Sequence, residues 1–174
     1  MRDELPNYHY FSPHGVEAYD MAPFGRQWFS LQDRSSEKIR QLLMINAPKL
    51  VDLIKDKQRE LRLSNEDTVI IGFSQGAMIG SYITSQIKFN CFIGFSGRIA
   101  HPEVIQNYST PYCLIHGEDD SVIEVDELRR GEQYLKEQQI PHQAHALKNL
   151  THSIDGRGLN LAIKFIKKYE HNQI

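Results

Sequence analysis

The chain has 174 residues, of which 40% are hydrophobic and 24% charged, and its formal net charge is −2. These values are ordinary for a soluble globular protein, and the length suits one domain spanning residues 1–174. The small charge gives no reason to expect nucleic acid or an anionic membrane surface as a partner. No apolar run is long enough for a membrane span, and the first residues lack the apolar core of a signal peptide. We therefore expect a cytoplasmic protein.

Two cysteines, Cys91 and Cys113, lie inside apolar segments that predict strands. Such cysteines usually act as small buried hydrophobic residues in a reducing compartment, so we expect neither a disulfide nor a nucleophile there. No cluster of His, Cys and Asp has metal-ligand spacing, and no glycine-rich phosphate loop follows a strand. We therefore expect no metal and no cofactor.

The first third of the chain predicts a strand, a loop and a helical segment. The aromatic run Tyr8–Ser12 predicts a short strand, and Pro13–Asp33 predicts a long loop because it contains Gly and Pro and lacks a helical period. Its aromatic residues are expected to pack on the core or, alternatively, to wall an apolar pocket. A helical period begins after Ser35 or Ser36 and continues across Pro48, which predicts one kinked helix or two short ones.

Strands alternate with helices in the remainder of the chain. Buried or alternating segments predict strands in a run starting at Thr68 and over Cys91–Phe95, Tyr112–Ile115 and His142–Leu147. Helical patterns follow Gly76, cover Glu124–Gln139 and begin again at Asp155. This alternation predicts an α/β fold with a mostly parallel sheet covered by helices on both faces.

Gly72-Phe-Ser-Gln-Gly76 is a G-x-S-x-G sequence between a predicted buried strand and a predicted buried helix. In this context the serine has a strained backbone and presents its hydroxyl above the sheet. Ser74 is therefore the candidate nucleophile, and the two glycines are expected to let strand and helix approach closely. The N–H of Gln75, in the first helical turn, is the candidate oxyanion-hole donor. The alternative is an ordinary turn with a surface serine.

A serine hydroxyl needs a general base, and the base needs an acid that fixes its tautomer. Both partners must lie at the carboxyl edge of the sheet, where Ser74 is expected. His152 is the candidate base because it follows a predicted strand and precedes a predicted helix. The loop after Ile115 offers three acids that position alone does not separate: Glu118, Asp119 and Asp120.

Other histidines are weaker candidates for the base. His142 and His145 lie within a predicted strand, and His14 and His101 lie in loops without an assignable acidic partner. His116 ends its strand, where a local hydrogen bond is the simpler role. The resulting chain order Ser, Asp, His is that of α/β-hydrolases.

The chain resembles the phospholipase/carboxylesterase family of α/β-hydrolases, which includes the acyl-protein thioesterases. The matching segments are Ala22-Pro-Phe-Gly-Arg-Gln-Trp-Phe29, Gly72-Phe-Ser-Gln-Gly-Ala-Met78, Phe95-Ser-Gly97, His116-Gly-Glu-Asp-Asp-Ser-Val122 and Thr151-His-Ser-Ile154. The resemblance implies Asp120 as the triad acid, because it is the last acid of the H-G-x-x-D pattern. It also implies a serine hydrolase that forms an acyl-enzyme from a small carboxylic ester or acyl thioester.

One departure from the family concerns its first strand and the His-Gly-rich loop after it. These normally precede the segment equivalent to Arg2–Pro13, so the resemblance implies an α/β-hydrolase sheet that is truncated at its N-terminus. The loop would supply the second oxyanion-hole N–H, and the strand would pair with the nucleophile strand. The alternative function is therefore a weak or inactive hydrolase remnant, or a subunit that a second copy or another chain completes. Peptidase activity is a third possibility that no peptide-binding segment supports.

Overall fold

A computed structural model describes residues 1–100 and 105–170 of the chain. The elements occur in this order: β1 (Glu17–Ala18), β2 (Arg26–Gln27), α1 (Ser36–Leu61), β3 (Val69–Phe73), α2 (Gln75–Thr84), β4 (Cys91–Phe95), β5 (Tyr112–Gly117), α3 (Asp126–Glu137), β6 (His142–Leu147) and α4 (Gly156–Tyr169). None of the helices in these ranges is both long and apolar enough to cross a lipid bilayer.

The four longer strands form one parallel sheet in the order β3-β4-β5-β6, and β1 and β2 form a separate antiparallel ribbon. Every residue of β4 and β5 is buried, as expected for the interior strands of a parallel sheet. All three connections between these strands carry the chain back to the same edge, so the carboxyl ends of the strands lie together. The predicted α/β architecture is confirmed.

Alternating side chains of the sheet divide the core between its two faces. Cys91, Ile93 and Phe95 of β4 pack with the apolar side of α4, including Ala162 and Ile166. On the opposite face, the side chains of β4 and β5 pack against α2 and α3: Phe92, Tyr112, Leu114, Ala77, Leu128 and Leu135. The sheet is therefore covered on both faces, as the sequence predicts.

Helix α1 is one helix across Pro48, not two short ones. Its N-cap is Ser35, whose hydroxyl accepts a hydrogen bond from the N–H of Lys38 at 3.3 Å. It ends at Arg62, which adopts the left-handed conformation at φ 57°. The buried apolar residues of the helix repeat at helical spacing and pack against α2: Ile39, Leu43, Ala47, Leu50 and Ile54.

Two predictions for the N-terminal segment are wrong in detail. Residues 8–12 form no strand, because no other strand of the described residues lies beside them to pair with their backbone. The predicted loop Pro13–Asp33 contains the short ribbon of β1 and β2, in which Ala18 pairs with Arg26. Two-residue strands of this kind leave too little periodic pattern to be recognised in a sequence.

Strand β3, which precedes Ser74, lies at the edge of the sheet and pairs only with β4 among the described residues. The N–H of Ser74 points to β4, where it donates to the carbonyl of Phe95. Successive residues of a strand point their backbone groups to opposite sides, so those of Ile71 and Phe73 face the open side. These two residues are 44% and 38% exposed. A groove of about 1140 Å³ follows this open edge and is bordered by the N-terminal segment.

Candidate active site

Ser74 alone connects β3 to α2, because β3 ends at Phe73 and α2 begins at Gln75. Its backbone has φ 54° and ψ −116°, a conformation that costs energy in any residue with a Cβ. Three hydrogen bonds keep it there: its N–H donates to Phe95, and its carbonyl accepts from Ala77 and Met78 at 3.0 and 3.2 Å. The serine therefore occupies the strained strand–helix turn that the sequence predicts.

The glycines on either side of Ser74 differ in what they contribute. A Cβ on Gly72 would lie 2.2 Å from the carbonyl oxygen of Gly76, so β3 and α2 approach each other only because residue 72 has no side chain. A Cβ on Gly76 would meet nothing within 4 Å, because its Cα faces the groove. Close approach requires Gly72, and the expectation that it also requires Gly76 is wrong.

The N–H of Gln75 is the first of α2 and lies beside Ser74 in the wall of the groove. No backbone acceptor is bonded to it within residues 1–100 and 105–170. An N–H at a helix N-terminus carries partial positive charge and is suited to hold a developing oxyanion. The geometry thus leaves the predicted oxyanion donor available.

The structure brings Asp120 and His152 together at the same edge of the sheet. Nδ1 of His152 donates to Oδ2 of Asp120 at 2.7 Å. The other carboxylate oxygen, Oδ1, accepts from the N–H groups of Val122 and Ile123, both at 2.9 Å. The carboxylate of Asp120 is thereby fixed on both oxygens, and its bond to Nδ1 leaves Nε2 as the ring nitrogen of His152 that this bond does not use.

Burial separates the three acids that the sequence leaves open. Asp120 is only 5% exposed, whereas Glu118 and Asp119 are exposed to solvent. Burial by itself raises the pKa of Asp120, but the hydrogen bonds from Ile123, His152 and Val122 outweigh it and lower this pKa below the usual aspartate value. The side chain of Asp120 is therefore charged in the folded protein at neutral pH.

His152 lies next to the strand–helix turn of Ser74 through a ring contact with Phe73. The two ring centroids are 4.8 Å apart, with the planes inclined at 42°. Because Phe73 directly precedes Ser74, this contact places the imidazole next to the strand–helix turn that contains Ser74. No hydrogen bond joins Oγ of Ser74 to His152 in the described part of the chain, and such contacts often tighten only when substrate binds.

His116 is a feature of the site that the sequence only partly indicates. It is 1% exposed, and its Nε2 donates to the carbonyl of Ile123 at 2.8 Å while lying 3.3 Å from Oδ2 of Asp120. The predicted local hydrogen bond is therefore present, and it stabilises the turn that holds Asp120. In the sequence, the H-G-x-x-D spacing was the signal that could have indicated the contact between His116 and Asp120.

Two of the remaining candidates, His142 and His145, lie within β6 and not in the loop that carries His152. His142 bonds the carbonyl of Ile140 at 2.8 Å, burial lowers the pKa of His145, and His101 lies outside the described residues. Burial also raises the pKa of both cysteine thiols, Cys91 and Cys113, to about 12, which leaves no thiolate to act as nucleophile at neutral pH. Across the described ranges, no group of three His, Cys, Asp or Glu could hold a metal ion.

A parallel sheet with a strained serine between a strand and a helix is the architecture of the α/β-hydrolases. The family model described as Phospholipase/Carboxylesterase matches residues 1–170, and the chain belongs to this family. The resemblance stated from its sequence motifs is confirmed.

Three curated relatives show how far the likeness extends. Esterase YpfH of Escherichia coli is 27% identical over 83% of this chain and 63% of its own length. Acyl-protein thioesterase 1 homolog 1 of Dictyostelium discoideum is 28% identical over 81% of this chain and 66% of its own length. A probable inactive carboxylesterase of Oryza sativa is 23% identical over 83% and 63%. The chain thus spans less than two thirds of the length of these relatives.

Solved structures show the same fold. The crystal structure of esterase PE8 has a TM-score of 0.89 and 28% identity, and the match covers 97% of this chain and 81% of that one. A carboxylesterase of Bacillus cereus has a TM-score of 0.70 at 13% identity, covering 88% and 73%. The second likeness concerns the fold alone.

Proposed function

We propose that the chain is a serine hydrolase of carboxylic esters or acyl thioesters. The observation that carries the proposal is the Asp120–His152 hydrogen bond at 2.7 Å, at the same edge of the sheet as a serine held in a strained strand–helix turn. A serine flanked by an oriented imidazole and a helix N-terminus has the three parts that acyl transfer needs: nucleophile, base and oxyanion donor.

The mechanism has two steps: acylation of Ser74 and hydrolysis of the acyl-enzyme. Oγ of Ser74 attacks the acyl carbon while Nε2 of His152 takes the hydroxyl proton, and the N–H of Gln75 binds the resulting oxyanion. His152 then protonates the departing alcohol or thiol, which leaves an acyl ester on Ser74. Water repeats the sequence: its proton goes to His152, its oxygen adds to the acyl carbon, and Ser74 leaves with that proton. Asp120 orients the imidazole and stabilises its cationic form throughout.

The substrate class and setting belong to the same proposal. Relatives named as an esterase and an acyl-protein thioesterase support oxygen and sulfur esters as alternatives. The four longer strands form one sheet with core packed on both of its faces, which supports a single domain over residues 1–174. Two buried free cysteines agree with a reducing compartment such as the cytoplasm.

Hydrolysis of p-nitrophenyl acetate and of an acyl thioester by the purified chain tests this function. We expect turnover of at least one, reduced by about 10³-fold or more in Ser74→Ala because the acyl-enzyme is then lost. The control is Ser121→Ala, an exposed serine at the same edge of the sheet, which should hydrolyse at the wild-type rate. Equal rates in all three proteins would contradict the proposal.

A second candidate is a hydrolase chain that is inert until another strand completes its sheet. The open edge of β3 favours it, because the backbone groups of Ile71 and Phe73 pair with no strand of the described residues and are suited to receive one from another chain or a second copy. The relative named as a probable inactive carboxylesterase supports it as well. Ser74-dependent hydrolysis by a protein that light scattering shows to be monomeric would eliminate this candidate. Activity confined to a dimer would favour it.

A further inference from the structure

We infer that Gln75 is a positioning residue whose side chain holds Trp28 and Phe29 next to the turn that contains Ser74, and so places Trp28 in the wall of the groove. This role is separate from the oxyanion contact proposed for its backbone N–H. Its effect on catalysis depends on the proposed hydrolase function, whereas its effect on the position of Trp28 does not. The inference explains why two distant motifs of the sequence occur together.

The amide of Gln75 forms hydrogen bonds to the backbone of two successive residues. Oε1 accepts from the N–H of Trp28 at 3.1 Å, and Nε2 donates to the carbonyl of Phe29 at 3.0 Å. The partners are 47 and 46 residues away in sequence. One side chain thus pairs with the segment in the way a neighbouring strand would, because it offers both a donor and an acceptor.

The segment has a second anchor in the core. Phe29 is fully buried and packs in the cluster formed by α1 and α2, while Trp28 is partly buried against the same cluster. Trp28 also lines the groove, together with Ser74 and Gln75. The core fixes the Phe29 end, and the Gln75 amide fixes the backbone of Trp28, and with it the place of Trp28 in the wall of the groove.

Only an amide of this length supplies both bonds, which makes two substitutions informative. Gln75→Glu keeps the shape and the acceptor but removes the donor, and it sets a carboxylate against the carbonyl of Phe29. Gln75→Met keeps the length and removes both bonds. A glutamate in the first turn favours a helix, so a change in Gln75→Glu is not explained by loss of α2.

Trp28 is the only tryptophan of the chain, so its fluorescence reports this segment directly. We expect Gln75→Met and Gln75→Glu to shift its emission to longer wavelength and to raise the acrylamide quenching constant at least twofold. The control is Gln133→Met, which replaces an exposed glutamine of α3 that bonds only Glu137 in the described structure. Circular dichroism should show that all four proteins are folded. Wild-type emission and quenching in both Gln75 variants would overturn the inference.

Catalysis supplies a second readout if the chain hydrolyses esters. Loss of these bonds is expected to raise KM for a long-chain p-nitrophenyl ester by about three- to tenfold, with a smaller change in kcat. A kcat loss with unchanged KM would overturn the role of the segment as a substrate wall. If wild type hydrolyses nothing yet the fluorescence changes as expected, the proposed function fails and the positioning of Trp28 by Gln75 stands.

Discussion

Asp120→Asn is expected to lower the rate of ester hydrolysis by about 10⁴-fold without unfolding the protein. Oδ1 of Asp120 accepts two backbone N–H groups, so the single oxygen of an asparagine would take that position. Its NH₂ group would then face Nδ1 of His152 and donate to it. This favours the tautomer with the proton on Nε2, which has no lone pair to accept the proton of Ser74.

Asp119→Asn is the matched control for this change. Asp119 lies in the same turn but is exposed, and its contact with the neighbouring loop is a backbone bond from its N–H to the carbonyl of Leu150. Activity should therefore be unchanged within about twofold, since surface substitutions of this kind have small effects. Equal losses in the two variants, or more than a tenth of wild-type activity in Asp120→Asn, would contradict the assignment of Asp120 as the orienting acid.

Wild type and Asp120→Asn are also expected to differ in stability in a way that depends on pH. The pKa of Asp120 is lower in the folded chain than in the unfolded one, so its carboxylate stabilises the fold above the ordinary aspartate pKa. This contribution is lost as pH falls through the folded pKa. The free energy of unfolding of wild type should thus begin to approach that of Asp120→Asn at about pH 4 and continue to do so as pH falls through the folded pKa of Asp120. Urea titrations across this range measure it.

Gly72→Ala is expected to destabilise the protein by about 3 kcal/mol and to lower Tm by about 6–12 °C. The added Cβ would lie 2.2 Å from the carbonyl oxygen of Gly76 and 2.5 Å from the N of Ala77. Both are backbone atoms of α2, so no side chain can move aside, and β3 must separate from the helix. Because Ser74 connects the two elements, its conformation should be lost with them. Thermal unfolding by circular dichroism measures the change.

Gly76→Ala tests the same motif without a clash. A Cβ there meets no atom of the described structure within 4 Å, and alanine favours a helix over glycine by about 1 kcal/mol. Its Tm should therefore equal or exceed that of wild type. A similar fall in Tm for both variants would show that the G-x-S-x-G glycines are interchangeable and would contradict the close contact at Gly72.

The sequence pattern of each segment predicted those strands and helix ends that depend mainly on neighbouring residues in the chain. The bounds of β4 and β6 are as predicted, because a buried apolar run and an alternating segment, each ended by turn residues, leave little freedom. The N-cap of α1 at Ser35 followed from the same kind of signal. The prediction of a strand over residues 8–12 was wrong, because an aromatic run becomes a strand only where another strand lies beside it.

The site was predictable in its residue types and less so in its contacts. Ser74 and His152 followed from motif and order, and the family resemblance selected Asp120, although its assignment as a triad member stays a prediction. The bond between Gln75 and Trp28 joins residues 47 positions apart, and no periodicity or spacing reports such a pair. The contact of His116 with Asp120 depends on the path of the turn between these two residues. The chemistry of the two side chains does not predict that path.

Labelling with a fluorophosphonate probe, read by intact mass, tests most directly whether Ser74 is an activated nucleophile. Such a probe reacts with an activated serine whatever its natural substrate, because it needs only a nucleophile, a base and an oxyanion donor. We predict one adduct on the wild-type chain, none on Ser74→Ala and a wild-type adduct on Ser121→Ala. A folded wild-type chain that takes no label, or an adduct that persists in Ser74→Ala, would contradict the account.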